Sequence, residues 1–463
     1  MFVNRINEIK ALEKFYKTGE TEFLIVYGRR RIGKTELLKH FARDKKHFFF
    51  SSDMSSEHEQ LKQFTEKIYN LTGEAFLKDY SFKNWENLLN YLFDHVVQKF
   101  RLIIIDEFPY LCMSNMALPS ILQKIWDEKG KDSGVFLVLC GSYMNFMEKE
   151  LLGSKSPLYG RRTGQIILQP FKYKVLKELF PGYTQEELVM VYSILGGTPA
   201  YLRKFKSNIS ISENVKEEIL DKNSLLYKEP KFLLMEELRE PSLYFSILRA
   251  IAFGRTKLNE IVNETGLSDR HKVNKYLTVL RELNIIKREV PVTEEQSDKS
   301  RKGIYLLEDP FFRFWFRFVY PNQSYLEEDE IDYVWEKRIE PYMNNFIGFI
   351  FEDICRQKLM DMNRAEELPF KAVKMGRWWD GKDEIDIIAA GEKDKYLFCE
   401  CKWSVKHVGM NIYQKLQERS NKISDTQEKY FCLFSKSGYS DQLKEIAESK
   451  RNIKLISLQD FPS

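Results

Sequence analysis

The eight residues Gly28-Arg29-Arg30-Arg31-Ile32-Gly33-Lys34-Thr35 constrain this chain more than any other stretch. Gly28 and Gly33, with four residues between them and Lys34-Thr35 directly after, fit the G-x-x-x-x-G-K-[ST] pattern position by position. The apolar run Phe23-Leu24-Ile25-Val26-Tyr27 before them reads as a buried strand, and Glu36-Leu37-Leu38-Lys39-His40-Phe41 after them reads as a helix. A tight turn between two such elements aims its backbone N–H groups inward, and the helix N-terminus adds positive dipole character, so a polyphosphate meets oriented donors there. On this reading Gly28, Arg29, Arg30, Arg31, Ile32 and Gly33 form a cradle for ATP, Lys34 reaches the β- and γ-phosphates, and Thr35 ligates Mg²⁺. The three arginines stand where looser loops of this kind carry small residues. They suit contact with DNA, with a neighbouring subunit or with the protein's own acidic surface.

A chain of 463 residues exceeds one ordinary domain, and its length points to about three. Its 43% hydrophobic and 30% charged residues, with 34 Phe and 24 Tyr to fill cores, are those of a globular protein and argue against disorder. A formal charge of +4 is too mild to demand a nucleic-acid partner, although a basic surface fits inside such a total. Cys112, Cys140, Cys355, Cys399, Cys401 and Cys432 are scattered through mostly apolar runs with no paired CxxC motifs, so reduced core thiols and no zinc site are expected. The start Met1-Phe2-Val3-Asn4-Arg5 lacks the features of a signal peptide, and no stretch reaches the length of a membrane span. The longest aromatic run, Phe311 to Tyr320, is interrupted by Arg313 and Arg317. No membrane partner and a cytoplasmic location are the expectation.

Around the loop, further residues fall into step. Phe2-Val3 is strand-like, and Ile6, Ile9, Leu12 and Phe15 make one face of a helix, with Arg5 and Glu8 spaced as a helix-surface ion pair. Phe48-Phe49-Phe50 reads as a second strand. Leu102-Ile103-Ile104-Ile105 runs into Asp106-Glu107, the spacing of a Walker B segment. Asp106 would hold Mg²⁺ through water and Glu107 would orient the attacking water. Val135 to Cys140 leads to Gly141-Ser142, where Ser142 suits a hydrogen bond to the γ-phosphate or the attacking water, or equally a helix N-cap. Arg161 and Arg162 lie in a turn-rich stretch. They suit an arginine finger acting within the chain or across a self-associated pair, or simply a solvated basic loop.

Phe171 to Leu238 is mostly helical and contains Gly196-Gly197-Thr198-Pro199, a sharp turn. The phosphate loop, the Asp106-Glu107 pair, the Gly160-Arg161-Arg162 segment and this turn together resemble the archaeal-type ATPases, a STAND-related P-loop group allied to AAA+. The entry Phe2-Val3-Asn4-Arg5 is similar to the adenine-contacting motif of that group, with Asn4 where a glycine is usual. The resemblance implies that Arg5 contacts the nucleotide, that Ser142 occupies the sensor-1 position, and that Phe171 to Leu238 forms a helical lid.

Tyr244 to Leu307 reads as three helices and a two-stranded wing, with Val273, Tyr276, Leu277, Leu280 and Leu283 as the buried stripe of the third helix. Arg270, His271, Lys272, Asn274 and Lys275 would face a DNA groove if this winged helix-turn-helix binds DNA rather than serving as packing. The acidic stretch Leu326 to Asp332 reads as a solvated junction or a helix start. Beyond it, Asp386 on one strand and Glu400-Cys401-Lys402 on the next form an Asp, Glu-x-Lys set. Alternation puts Glu400 and Lys402 on one face. Asp386 and Glu400 suit a shared divalent cation, Lys402 suits positioning or activating the water and stabilising charge that develops on a phosphodiester, and Glu352 on the preceding helix adds a carboxylate or marks a solvated face. This constellation resembles the PD-(D/E)xK restriction-endonuclease-like fold, and Phe346 to Trp403 resembles the DUF234 domain often fused to archaeal-type ATPases.

The expected architecture is a multidomain α/β chain. A P-loop NTPase parallel sheet spans 1–168, a helical lid 169–240, a winged helix-turn-helix 241–325 and a restriction-endonuclease-like α/β domain 326–463. The expected function is Mg²⁺-dependent ATP hydrolysis coupled to DNA binding and metal-dependent DNA cleavage. The alternative is a STAND-like, ATP-controlled switch or regulator whose C-terminal domain recognises nucleic acid or a partner without cutting.

Overall fold

Apolar runs without alternation become strands buried on both faces, and the central strands of the first sheet are built from them. The computed structural model describes residues 2–238, 240–267, 269–392, 394–423 and 428–461. The chain divides into two compact units, Met1–Pro170 and Phe171–Ser463.

In the first unit, α1 (Ile6–Lys17) precedes β1 (Glu22–Tyr27), α2 (Lys34–Ala42), β2 (His47–Ser51), α3 (Glu57–Thr72), β3 (Leu102–Asp106), α4 (Phe108–Ser114), β4 (Phe136–Gly141) and β5 (Gly164–Ile167). The five strands form one parallel sheet in the order β2-β3-β4-β1-β5. Every residue of β1, β3 and β4 is buried. Leu24, Val26, Ile104, Val138 and Cys140 face Leu37, Leu38 and Phe41 of α2 in one core. Because β4 lies between β1 and β3, the residue that follows it emerges beside both the phosphate loop and Asp106. Phe2 and Val3 do not pair as a strand; the Phe2 ring stacks on His40 at 4.0 Å.

The second unit begins with helices, among them α5 (Gln185–Leu195), which ends at Gly196. The following Gly197 is required by close backbone approach: a Cβ there would lie 1.8 Å from the Phe171 carbonyl oxygen, and the Gly197 carbonyl accepts from Phe171 N at 2.7 Å. Then come α6 (Pro241–Ala252), α7 (Leu258–Thr265) and α8 (Arg270–Glu282), followed by the antiparallel pair β6 (Ile286–Glu289) and β7 (Ile304–Leu307). The buried stripe of α8 is Val273, Tyr276, Leu277 and Leu280, with Leu283 buried just beyond it. Ser268, read with the turn before α8, lies outside the described residues. β6 stops at Glu289, and Val292 beyond it donates its N–H to Arg377 O (2.9 Å).

The acidic side chains of the 326–332 stretch are exposed, and a short helix begins within it at Ile331–Val334. Leu326 is buried, Glu327 accepts from Tyr227 Oη (2.9 Å), and Asp329 and Asp332 pair with Lys222 (2.8 Å) and Lys216 (2.6 Å). The 22-residue α9 (Met343–Arg364) follows, then β8 (Ala372–Trp379), β9 (Glu384–Gly391), β10 (Tyr396–Lys402), α10 (Met410–Ser420), β11 (Lys429–Ser435), α11 (Asp441–Ser449) and β12 (Ile453–Ser457). Their sheet runs β12-β11-β10-β9-β8, antiparallel across β8, β9 and β10 and parallel across β10, β11 and β12. Ile385, Ile388, Phe398, Tyr413, Leu416 and Leu433 form the core that joins this sheet to α10.

Candidate functional sites

The phosphate loop spans the end of β1 and the start of α2, and its backbone is shaped for close approach. A Cβ on Gly28 would lie 2.5 Å from Ile32 Cδ1 and 2.6 Å from Leu168 O, so no larger residue fits. Lys34 opens α2 and folds over the loop, donating to the carbonyls of Gly28 (2.9 Å) and Arg29 (3.1 Å). Thr35 Oγ1 donates to Asp106 Oδ2 at 2.7 Å, which ties the first turn of α2 to the end of β3 through two hard oxygen atoms that suit Mg²⁺. Glu107 adopts the left-handed region (φ 52°, ψ 40°), and its Oε2 accepts from Ser142 N (3.1 Å) and Ser142 Oγ (2.8 Å). Non-glycine residues held in that region cost free energy and cluster where geometry is functional. The Asp106 and Glu107 carbonyls are in turn bound by Ser52 Oγ at 3.2 and 2.6 Å. Oxygen donors, an ammonium and a narrow backbone cradle fit a nucleoside triphosphate with Mg²⁺.

Other candidates around the loop are placed differently. Ser142 is not a helix cap, because its hydroxyl is committed to Glu107. The Arg5 guanidinium is buried and donates to Ile32 O (2.8 Å), Gln169 O (2.8 Å) and Glu8 (3.1 Å), so it braces the loop from behind as well as pairing along α1. Arg29 is buried, Arg30 donates to Tyr110 Oη (2.6 Å), and Arg31 takes a positive φ of 69°. Arg161 makes a two-pronged pair with Asp127, with contacts from 2.8 to 3.2 Å, and Arg162 donates to Leu152 O (3.1 Å). Both arginines are therefore engaged within their own unit.

The second constellation lies on the sheet of the second unit. The register Cys399↔Ile387 brings Asp386 beside Glu400, and Asp386 Oδ2 accepts from Cys401 N at 2.8 Å. Lys402 Nζ donates to Glu400 Oε1 at 2.6 Å, as alternation along β10 requires. Glu400 Oε2 is buried without a hydrogen bond, with Arg419 Nη1 at 3.5 Å. Glu352 on α9 forms an ion pair with Arg377 of β8. Burial and the Asp386 charge raise the Glu352 carboxyl well above the ordinary range, although Arg377 opposes them. Burial and Glu400 likewise raise Asp386. Burial alone would lower Lys402, but Glu400 and Asp386 outweigh it and hold the ammonium protonated.

Among the described residues, no group of three or more His, Cys, Asp or Glu is disposed to hold a metal ion. A cation here would rest on Asp386, Glu400, water and substrate oxygens, which is the ordinary manner of Mg²⁺ at phosphate esters. The unbonded Glu400 Oε2 is a donor that fits it. Sequence reading did not assign Arg377 or Arg419. Arg377 sits beside two tryptophans on an edge strand and Arg419 within an ordinary polar helix, so neither carries a local signal.

The fold and the loop define a P-loop ATPase, and comparison with known proteins agrees. Residues 2–205 match an ATPase domain predominantly from Archaea, and residues 315–418 match DUF234, described as archaeal and bacterial proteins of unknown function. The chain is 38% identical over 467 residues to the uncharacterized protein MJECL04 of Methanocaldococcus jannaschii, covering 100% of both. A 46-residue stretch is 48% identical to the uncharacterized ATP-binding protein MJ0423 of the same organism, covering 10% of this chain and 78% of that one. The Walker-type ATPase PABY2304 of Pyrococcus abyssi shares the fold over 68% of this chain and 96% of its own, with a TM-score of 0.51 at 21% identity. The chain belongs to the archaeal ATPase family that carries a C-terminal DUF234 domain. No helix among the described residues is long and apolar enough to cross a membrane.

Proposed function

We propose that this protein is an Mg²⁺-dependent ATP hydrolase whose cycle is coupled to DNA binding, and that its C-terminal site cleaves DNA. The observation that carries the reading is the paired arrangement at the C-terminal ends of the central strands: Thr35 on Asp106, and Glu107 on Ser142. Mg²⁺ bound there supplies charge neutralisation for the phosphates. Lys34 leaves its carbonyls to hold the terminal phosphates. Glu107, with its direction fixed by Ser142, accepts a hydrogen bond from the attacking water and aligns it. Residues 169–240 act as the lid.

Residues 241–325 are the winged helix-turn-helix and 326–463 the nuclease-like domain. A groove of about 870 Å³ runs beside α8 and the wing, lined by Arg270, Arg281, Arg288 and Arg301 against the single acid Asp298. That charge suits a phosphate backbone. At the distal site, Lys402, held by Glu400, is placed to stabilise charge developing on a phosphodiester. Incubation with plasmid and Mg²⁺ or Mn²⁺, with and without ATP, tests the reading. Cleavage is expected to vanish in Lys402→Ala, and undiminished cleavage in that variant overturns the assigned mechanism.

A second reading has its own support. Glu352 is already balanced by Arg377, and Glu400 by Lys402 and Arg419. That balance suits a site that grips a phosphate without cutting, as in a STAND-like switch. Specific DNA retention without metal-dependent cleavage is the result that selects it.

A further inference from the structure

A cavity of about 450 Å³ opens within the second unit, between the winged-helix elements and the C-terminal sheet, and reaches Asp386. That volume lies in the range of sites that enclose small organic ligands, roughly 300–1,000 Å³. Its rim carries three large aromatic rings in solvent, Phe253 (48% exposed), Tyr342 (48%) and Phe349 (57%). Exposed rings gathered around one opening, rather than scattered, mark a binding site.

The charges that line the cavity do not cancel. Glu289 and Asp353 are balanced by Lys287 (2.8 and 3.2 Å) and by Arg356, which lies 3.4 Å from Glu289 and pairs with Asp353. Glu352 is balanced by Arg377. Asp386 adds one further carboxylate, so the lining keeps a small excess of positive charge. Among the described residues Arg313 and Arg317 make no ion pair, although the charge of Arg313 acts on Asp353 through space. Arg313 donates only to Leu307 O (2.8 Å) and lies 6.0 Å from the centroid of Phe349. A guanidinium outside any ion pair beside an exposed aromatic ring suits an anion that carries a planar ring.

We infer that this cavity binds a nucleotide, with its base stacked among Phe253, Tyr342 and Phe349 and its phosphate on Arg313 and Arg317. Two sources share this chemistry: an unpaired nucleotide of a nucleic-acid strand led toward Asp386, or a free mononucleotide. The strand arm rests on the nucleic-acid role proposed above, whereas the cavity itself does not.

The test is fluorescence anisotropy of the full chain with a labelled oligothymidylate in EDTA, where no cleavage occurs. Unlabelled thymidine monophosphate and the annealed duplex serve as competitors. Phe349→Ala and Arg317→Gln both alter exposed side chains, and melting curves check that they stay folded. Each is expected to weaken single-strand binding roughly tenfold, the scale of one lost base–aromatic stack, while leaving ATP turnover unchanged. Failure of the mononucleotide to compete assigns the cavity to a strand. Competition that is lost in Phe349→Ala assigns it to the free nucleotide. Wild-type affinity for both probes in both variants overturns the inference. Absence of cleavage in Mg²⁺ with these losses intact counts against the nuclease reading alone.

Discussion

At the scale of single residues, the ATP site is a pair of hydrogen-bonded couples, and each makes a different prediction. Glu107→Gln keeps an acceptor for Ser142 Oγ but loses the charge that, in the proposed role, polarises the attacking water. Nucleotide binding is expected to persist while turnover falls by about 100-fold or more, measured by filter binding and phosphate release. Ser142→Ala frees the Glu107 carboxylate to rotate and should lower turnover with little change in affinity. In the second unit, Asp353 is held down to about 2 by Lys287, Arg356 and Arg313, against burial that alone would raise it. Because the folded state binds this proton more weakly than the unfolded chain, Asp353 stabilises the fold above the ordinary carboxylate value of about 4. That contribution fades as pH falls from there toward 2. Asp353→Asn is expected to cost about 1–3 kcal/mol at neutral pH. The gap between the variant and wild-type melting curves should narrow on acidification.

At the scale of elements, what the sequence disclosed depended on whether the signal was local. β1, β3 and β4 were legible because each is a continuous apolar run ending at a polar or glycine residue, and the stripe of α8 because its apolar residues keep helical spacing. The placement of Ser142 against Glu107 followed from the strand order, since β4 pairs with both β1 and β3. Other features are non-local. The brace from Arg5 to Ile32 O spans 27 residues, and the aromatic cavity draws on segments near 253, 313, 345 and 386, so no window of sequence contains either. The Gly196-Gly197 turn was visible, but not the reason for its second glycine, which is a crossing by the Phe171 backbone. Gly197→Ala forces that crossing apart. It is expected to destabilise the second unit by about 2–4 kcal/mol, read by thermal or urea unfolding. In the basic groove beside α8, Arg270→Ala and Arg301→Ala should weaken DNA binding similarly for all sequences and each lower the salt slope by about one.

At the scale of the whole molecule, two sites that both suit Mg²⁺ occupy separate compact units, so chelation cannot tell which one drives an effect. Substitutions can. If ATP binding at Lys34 and Thr35 favours a state of the chain with higher DNA affinity, linkage requires DNA to raise ATP affinity by the same factor. Couplings of this kind usually amount to roughly 5- to 150-fold. The prediction is that a non-hydrolysable ATP analogue tightens DNA binding by some factor in that range, that saturating DNA tightens analogue binding equally, and that Lys34→Ala abolishes both. Titration calorimetry in both orders measures the two factors independently. DNA affinity indifferent to the analogue would show that the archaeal ATPase module and the DUF234 site share a polypeptide without sharing an equilibrium. An effect of ATP on cleavage rate would then act on the catalytic step rather than on DNA affinity, and Glu107→Gln, expected to bind without turning over, would tell ATP binding from ATP hydrolysis as its cause.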